Sequence, residues 1–135
     1  MFTNQALRWG LALGYTAFLI GYLLQSPGSP AVEIVAPAAS PDWRREVAFT
    51  IGHIIGFGTL FVLWYIALLR PVGLRAALGA CVIALMIGGL AEILQSQLPE
   101  RSASFYDLTM NTIGILIAWV MIGTFRHQML QTQRS

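Results

Sequence analysis

Residues 76–94 read AALGACVIALMIGGLAEIL. Sixteen of them, 76–91, pass without a charge before Glu92 interrupts the run. Such a stretch is either a buried core helix or a membrane span, and length decides between them. Crossing the hydrocarbon takes ~20 residues, with ~17–25 as the working range. The stretch reaches that length only with Glu92 counted in. Composition then chooses the solvent. The chain has 135 residues, 56% hydrophobic and 10% charged, whereas soluble domains carry about 25% charge. Fourteen charged residues cannot cover a globule of this length. A disordered chain is excluded for the opposite reason, because too much apolar surface would be left wet. A lipid bilayer tolerates this composition.

Working outward, four spans are predicted: 7–24, 47–69, 76–94 and 108–125. Backbone groups in lipid must pair internally, so each span is helical and the fold class is all-α, a polytopic bundle treated as a single membrane domain over 1–135. Turn chemistry separates the spans. Gln25 to Ser40 contains Pro27, Gly28, Ser29, Pro30 and Pro37 and reads as an extended polar loop. Ser40-Pro41-Asp42 reads as an N-cap, a proline at N1 and an acid in the first turn, so the second helix begins as early as Pro41. Arg70-Pro71-Val72-Gly73 is a tight connection, Leu98-Pro99 ends the third helix, and Ser104 with Asp107 has capping-box spacing. A cleaved signal peptide ending near Ala36-Pro37-Ala38 is the alternative for the first span. Its apolar run exceeds the ~7–15 residues of such a segment, and the span is expected to be retained.

Charge predicts orientation. With four spans, the side holding both termini carries Arg8, Arg70, Arg75, Arg126 and Arg134 and no acid. The other side carries Arg44, Arg45 and Arg101 against Glu33, Asp42, Glu46, Glu100 and Asp107. Five arginines against three put the termini in the cytoplasm of a bacterial inner membrane. The basic residues form no run with interleaved aromatics, so nucleic acid is not an expected partner. The single cysteine, Cys81, excludes an intrachain disulfide and reads as a small hydrophobe.

Ionisable groups inside a span cost ~2.5–3.5 kcal/mol on insertion scales and are functional candidates by default. His53, Glu92, Asp107 and Asn111 all fall at one depth, in the outer third of the bilayer, by the ~1.5 Å helical rise. Glu92 and Gln95 share a face, as do Asp107, Asn111 and Gly114 at i, i+4, i+7. Arg101 and Ser104 lie in the loop between these helices. A guanidinium near two carboxylates lowers their joint burial cost. The expected object is an outward-facing polar cleft built from the second, third and fourth spans. The plain alternative is that these groups pair only to fix helix packing. A metal site from His53, Glu92 and Asp107 lacks ligand spacing, and no metal or cofactor is expected. Gly10 with Gly14 and Gly52 with Gly56 have the spacing that lets helices approach closely, and Gly88-Gly89 leaves room beside Glu92. Trp9, Trp43, Trp64 and Tyr65 read as interface anchors, and His127 faces headgroups or water.

From Arg45 to Gly123, a little over half of its length, the chain resembles the VanZ-like family of small bacterial integral membrane proteins. The residues that carry the resemblance are His53, then Glu92-x-x-Gln95, then Arg101-x-x-Ser104-x-x-Asp107-x-x-x-Asn111-x-x-Gly114. The ordered spacing from Glu92 to Gly114 is specific; His53 alone is not. Relatives often show a basic stretch before the histidine. Arg44-Arg45 stand at a longer spacing here, and no role is carried onto them. The resemblance implies a multi-span cell-envelope protein. Its named member is associated with low-level resistance to the glycopeptide teicoplanin, and no settled activity transfers. What transfers is that His53, Glu92, Gln95, Arg101, Ser104, Asp107 and Asn111 are the motif positions.

Two function classes follow. In the first, a non-enzymatic protein recognises a polar envelope component, a lipid headgroup or cell-wall precursor. Arg101 grips an anionic group, Gln95 and Asn111 supply oriented hydrogen bonds, and Glu92 holds Arg101 or His53 in place. In the second, a small intramembrane enzyme uses His53 with Glu92 or Asp107 as acid and base on a lipid-linked substrate. A nucleophile motif, a glycine-rich phosphate loop and a partner histidine in the spans are absent. A transporter gains little support from four short spans without an inverted repeat. Membrane lipids are the expected surroundings, and oligomerisation is left open.

Overall fold

The computed structural model describes residues 4–25, 29–37, 39–68, 73–98 and 104–132. Five helices appear in chain order: α1 (Gln5–Leu23), α2 (Pro30–Val35), α3 (Asp42–Ala67), α4 (Leu74–Gln95) and α5 (Phe105–Thr132). No strand occurs among the described residues. Four of the helices, all but α2, are long and apolar enough to cross a membrane. The protein is an all-α, multi-pass membrane protein.

The observed helices outrun the apolar windows at several ends. α3 starts at Asp42, five residues before the predicted span, and α5 runs from Phe105 to Thr132 instead of 108–125. Hydropathy marks the part of a helix that lies in lipid, whereas the hydrogen-bonded backbone continues through polar residues at either end. The start of α3 also differs in detail. Pro41, not Ser40, occupies the cap position, and no side chain caps the helix. The larger correction concerns the loop at 25–40. It contains α2, with Pro30 at its first turn and Val32 and Ala36 each 1% exposed. A proline at N1 is already set for a helix, and burying those two apolar side chains supplies what the turn-rich composition conceals. Pro27, Gly28, Ala38, Leu69 to Val72 and Pro99 to Ala103 lie outside the described residues.

α3 is the central helix and packs on α1, α4 and α5, most extensively on α5. Its side chains Phe57, Leu60 and Phe61 are fully buried and form the middle of the core. Two glycines allow the α3–α5 approach. A Cβ on Gly114 would collide with backbone atoms of Ile54, and one on Gly58 would stand 3.1 Å from the Gly114 carbonyl oxygen. These are not the pairs expected from spacing. Nothing lies within 4 Å of a Cβ added at Gly10, Gly14, Gly52 or Gly89, whereas Gly56 meets the Leu19 side chain at 3.1 Å. Gly88 does make room, for Phe57 and the Asn111 amide.

Polar ties hold α1 in the bundle. Tyr15 Oη donates to the Gly56 carbonyl at 3.2 Å, and Trp64 Nε1 donates to Thr16 Oγ1 at 3.1 Å. Trp9 packs edge-on against Trp64 at 5.5 Å. Trp64 and Tyr65 are thus 7% and 6% exposed and join helices instead of anchoring the surface. Trp43, 61% exposed at the start of α3, fits the anchor role, and His127 is exposed as expected. These contacts, with Arg126 on Tyr65, set the chain termini at one end of the bundle. The motif residues gather at the other.

Candidate functional site at the polar end of the bundle

One turn of α3 after another presents Glu46, Thr50 and His53 on a single face, at i, i+4 and i+7. Phe57 follows one turn below and stacks on the His53 ring at 6.4 Å with an interplanar angle of 3°. The imidazole, 7% exposed, is held from two sides. Its Nδ1 lies 2.8 Å from Asn111 Oδ1, and its Nε2 lies 4.0 Å from Asp107 Oδ2. The Nδ1-protonated tautomer is the one that donates to this amide oxygen, and Nε2 lies on the side of the carboxylate.

The start of α5 explains why that carboxylate is available. Ser104 caps the helix: its carbonyl accepts from the Leu108 N–H, and its Oγ accepts from the Asp107 N–H at 3.3 Å. In a complete capping box the acid three residues on would reach back to the N–H of the cap. Here that N–H donates instead to Glu92 Oε2, 2.8 Å away on α4. Glu92 therefore serves the helix N-terminus in place of Asp107. A carboxylate there is favoured by the unpaired N–H groups and the helix dipole, which offsets part of its burial cost at 6% exposure. Asp107, released from the box, faces His53.

Gln95 has a different task. Its Nε2 donates to the Leu23 carbonyl at 2.9 Å, satisfying an acceptor in the last turn of α1. Thr50 Oγ1 and Tyr106 Oη stand 3.2 Å apart across the α3–α5 junction. Glu92 Oε1 and Asn111 Nδ2 are buried without a hydrogen-bond partner among the described residues.

A cavity of about 600 Å³ opens here, lined by Glu46, Phe49, Thr50, His53, Gln95, Ser104, Tyr106 and Asp107. That volume lies within the ~300–1,000 Å³ of small-molecule sites. Of the seven motif positions, His53, Gln95, Ser104 and Asp107 line it, while Glu92 and Asn111 stand behind them as supports. Arg101 lies outside the described residues. Glu46, Phe49, Thr50 and Tyr106 were not anticipated. Glu46 and Thr50 precede His53 by seven and three residues on the same helical face, and that spacing is the signal that points to them. Among the described residues, no three His, Cys, Asp or Glu side chains are grouped to hold a metal ion.

The family model VanZ/LLP1 matches residues 10–126. The chain belongs to the VanZ/LLP1 family. The match takes in α1 from Gly10 onward, beyond the Arg45–Gly123 stretch that carries the resemblance in sequence. No curated protein and no solved structure matches the chain. In this VanZ/LLP1 protein the motif is divided between support and surface. Glu92 and Asn111 fix the α5 start and the imidazole, and His53, Asp107 and Ser104 present polar atoms to the cavity. Two carboxylates, an imidazole and two hydroxyl-bearing aromatic or β-branched side chains, Tyr106 and Thr50, give that wall both acceptors and donors.

Proposed function

We propose that this VanZ/LLP1 protein recognises a polar component of the bacterial cell envelope, a lipid headgroup or a cell-wall precursor, in the cavity at the polar end of its bundle. The supporting observation is the cavity itself. It is polar, of ligand size, and assembled from three membrane helices whose hydrophilic side chains would otherwise be costly in lipid. His53, Asp107, Ser104 and Gln95 contact the ligand, Glu92 and Asn111 position them, and Arg101 grips an anionic group through its guanidinium fork. The cavity faces outward and the termini are cytoplasmic, in keeping with the arginine distribution. A C-terminal alkaline phosphatase fusion is then inactive; activity in the periplasm would reverse the orientation.

Copurification tests the recognition. Thr50→Trp fills the cavity from a lining position and leaves the supports intact. Lipid-linked species extracted from purified wild-type protein are expected to be depleted from the variant. Identical extracts from the two proteins would remove the proposal.

A second reading draws on the 4.0 Å His53–Asp107 pair. An intramembrane enzyme would use the imidazole as base and a carboxylate as acid on a lipid-linked substrate. Asp107 suits that role better than Glu92, whose Oε2 is engaged by the Ser104 N–H. Asp107→Asn keeps the shape but cannot exchange a proton. An enzyme accumulates unprocessed substrate in that variant, whereas a binder, with no product to form, accumulates none and at most copurifies less of its ligand.

A further inference from the structure

Beyond the Gly114–Ile54 crossing, toward the chain termini, α3 and α5 alone wall a second hollow of about 760 Å³. It shares no residue with the polar cavity. Its lining is apolar except for Thr59, Tyr65 and Arg126. The rims are open: Ile55, Ile117, Met121 and Phe125 are 62%, 48%, 65% and 67% exposed. From Gly114 to Arg126 the groove runs twelve residues of helix, ~18 Å at ~1.5 Å per residue. One leaflet of a ~30 Å hydrocarbon core is ~15 Å deep. The groove therefore matches the depth of a single leaflet, closed at one end by the glycine crossing and ending at a cation.

Among the described residues that cation is not fully used. Arg126 donates one hydrogen bond, to Tyr65 Oη at 2.7 Å, and a guanidinium has five donors. No carboxylate stands within ion-pair distance of it among the described residues. The same end of the bundle carries Arg8 and Arg75 and no acid in the described chain. A fork of free donors at headgroup depth matches a phosphate. We infer that the α3–α5 groove binds an anionic phospholipid of the leaflet beside the chain termini, with one acyl chain between Gly58 and the exposed rim and its phosphate on Arg126 and Tyr65. The site is independent of the polar cavity in place and chemistry.

Native mass spectrometry of the full chain in detergent tests this, with phosphatidylglycerol and phosphatidylcholine of identical acyl chains added in equal amounts. The wild type is expected to retain the anionic lipid about fivefold more, the size of one juxtamembrane basic residue. Arg126→Gln lowers the ratio most, toward one, while Arg75→Gln, at an exposed arginine on α4 at the same end but outside the groove lining, lowers it less. Val62→Trp, which fills the groove without touching the charge, lowers retention of both lipids. Should Arg126→Gln fold poorly, Arg126→Lys keeps the charge without the fork and is expected to give an intermediate ratio. Equal retention by the wild type, or equal losses in the Arg75 and Arg126 variants, overturns the inference. So does a wild-type dimer that Val62→Trp dissociates, since the groove would then hold a second copy of the chain.

Discussion

Gly114→Ala adds one methyl group where α3 and α5 touch. The new Cβ would collide with the Ile54 carbonyl oxygen and lie 2.9 Å from the carbonyl carbon and Cα of the same residue. Carbon atoms pack at ~3.5–4.0 Å, so the helices must part by at least ~0.6 Å, and backbone offers no rotamer to escape through. Overpacking of this kind costs ~1–3 kcal/mol. The separation also strains the 2.8 Å His53–Asn111 bond, whose ends lie one and three residues from the crossing. Such bonds between membrane helices average ~0.6 kcal/mol. Alanine returns up to ~1 kcal/mol of helix propensity. The net expectation is a loss of ~1–3 kcal/mol, read as a lower midpoint in thermal or dodecyl-sulfate unfolding of the purified protein. Gly14→Ala is the matched control. Nothing lies within 4 Å of its added Cβ, so only the propensity gain remains and the midpoint should hold or rise. A Gly114→Ala midpoint at or above wild type would refute the close approach and with it the register of α3 on α5.

Other outcomes follow from the same contacts. A double-mutant cycle on His53→Phe and Asn111→Leu should give a coupling of ~0.6–1.7 kcal/mol, the measured range for membrane hydrogen bonds; additive effects would mean the 2.8 Å bond contributes nothing. Glu92→Gln retains an acceptor for the Ser104 N–H and should unfold close to wild type, whereas Glu92→Leu orphans that N–H and should cost ~1–3 kcal/mol. Equal midpoints for the two variants would remove Glu92 from the cap of α5. Trp64→Phe keeps the core ring but loses the bond to Thr16, and should weaken the hold on α1 by ~0.6 kcal/mol. Faster proteolytic release of α1 would register it, and an unchanged rate would count against the tie.

The four spans were legible because their signal is a sum over many residues, and about twenty apolar side chains in a row have few alternatives. The polar cluster was legible because helical spacing and depth can both be counted from sequence. Pairwise facts resisted. Gly114 belongs to the motif face, yet nothing in its spacing says that a backbone carbonyl from α3 faces it, while the better GxxxG match at Gly10 and Gly14 meets empty space. Gln95 sits with Glu92 on one face but serves the end of α1. Ser104 and Asp107 have capping-box spacing, but the second bond of the box comes from Glu92, twelve residues before Ser104 and on another helix. α2 was hidden because its proline and serine neighbours are turn formers, and only the burial of Val32 and Ala36 selects a helix there.

Thiol crosslinking in native membranes probes the meeting of α3 and α5 at the polar cavity, in a Cys81→Ser background that removes the single native cysteine. Thr50→Cys with Tyr106→Cys should join through a bifunctional reagent about as long as the phenol ring that is lost, since the native hydroxyls stand 3.2 Å apart. Thr50→Cys with Phe105→Cys, whose native side chain is 90% exposed, should not. Equal yields from the two pairs, or none from the first, would mean that the hydrophilic side chains do not converge on a shared pocket.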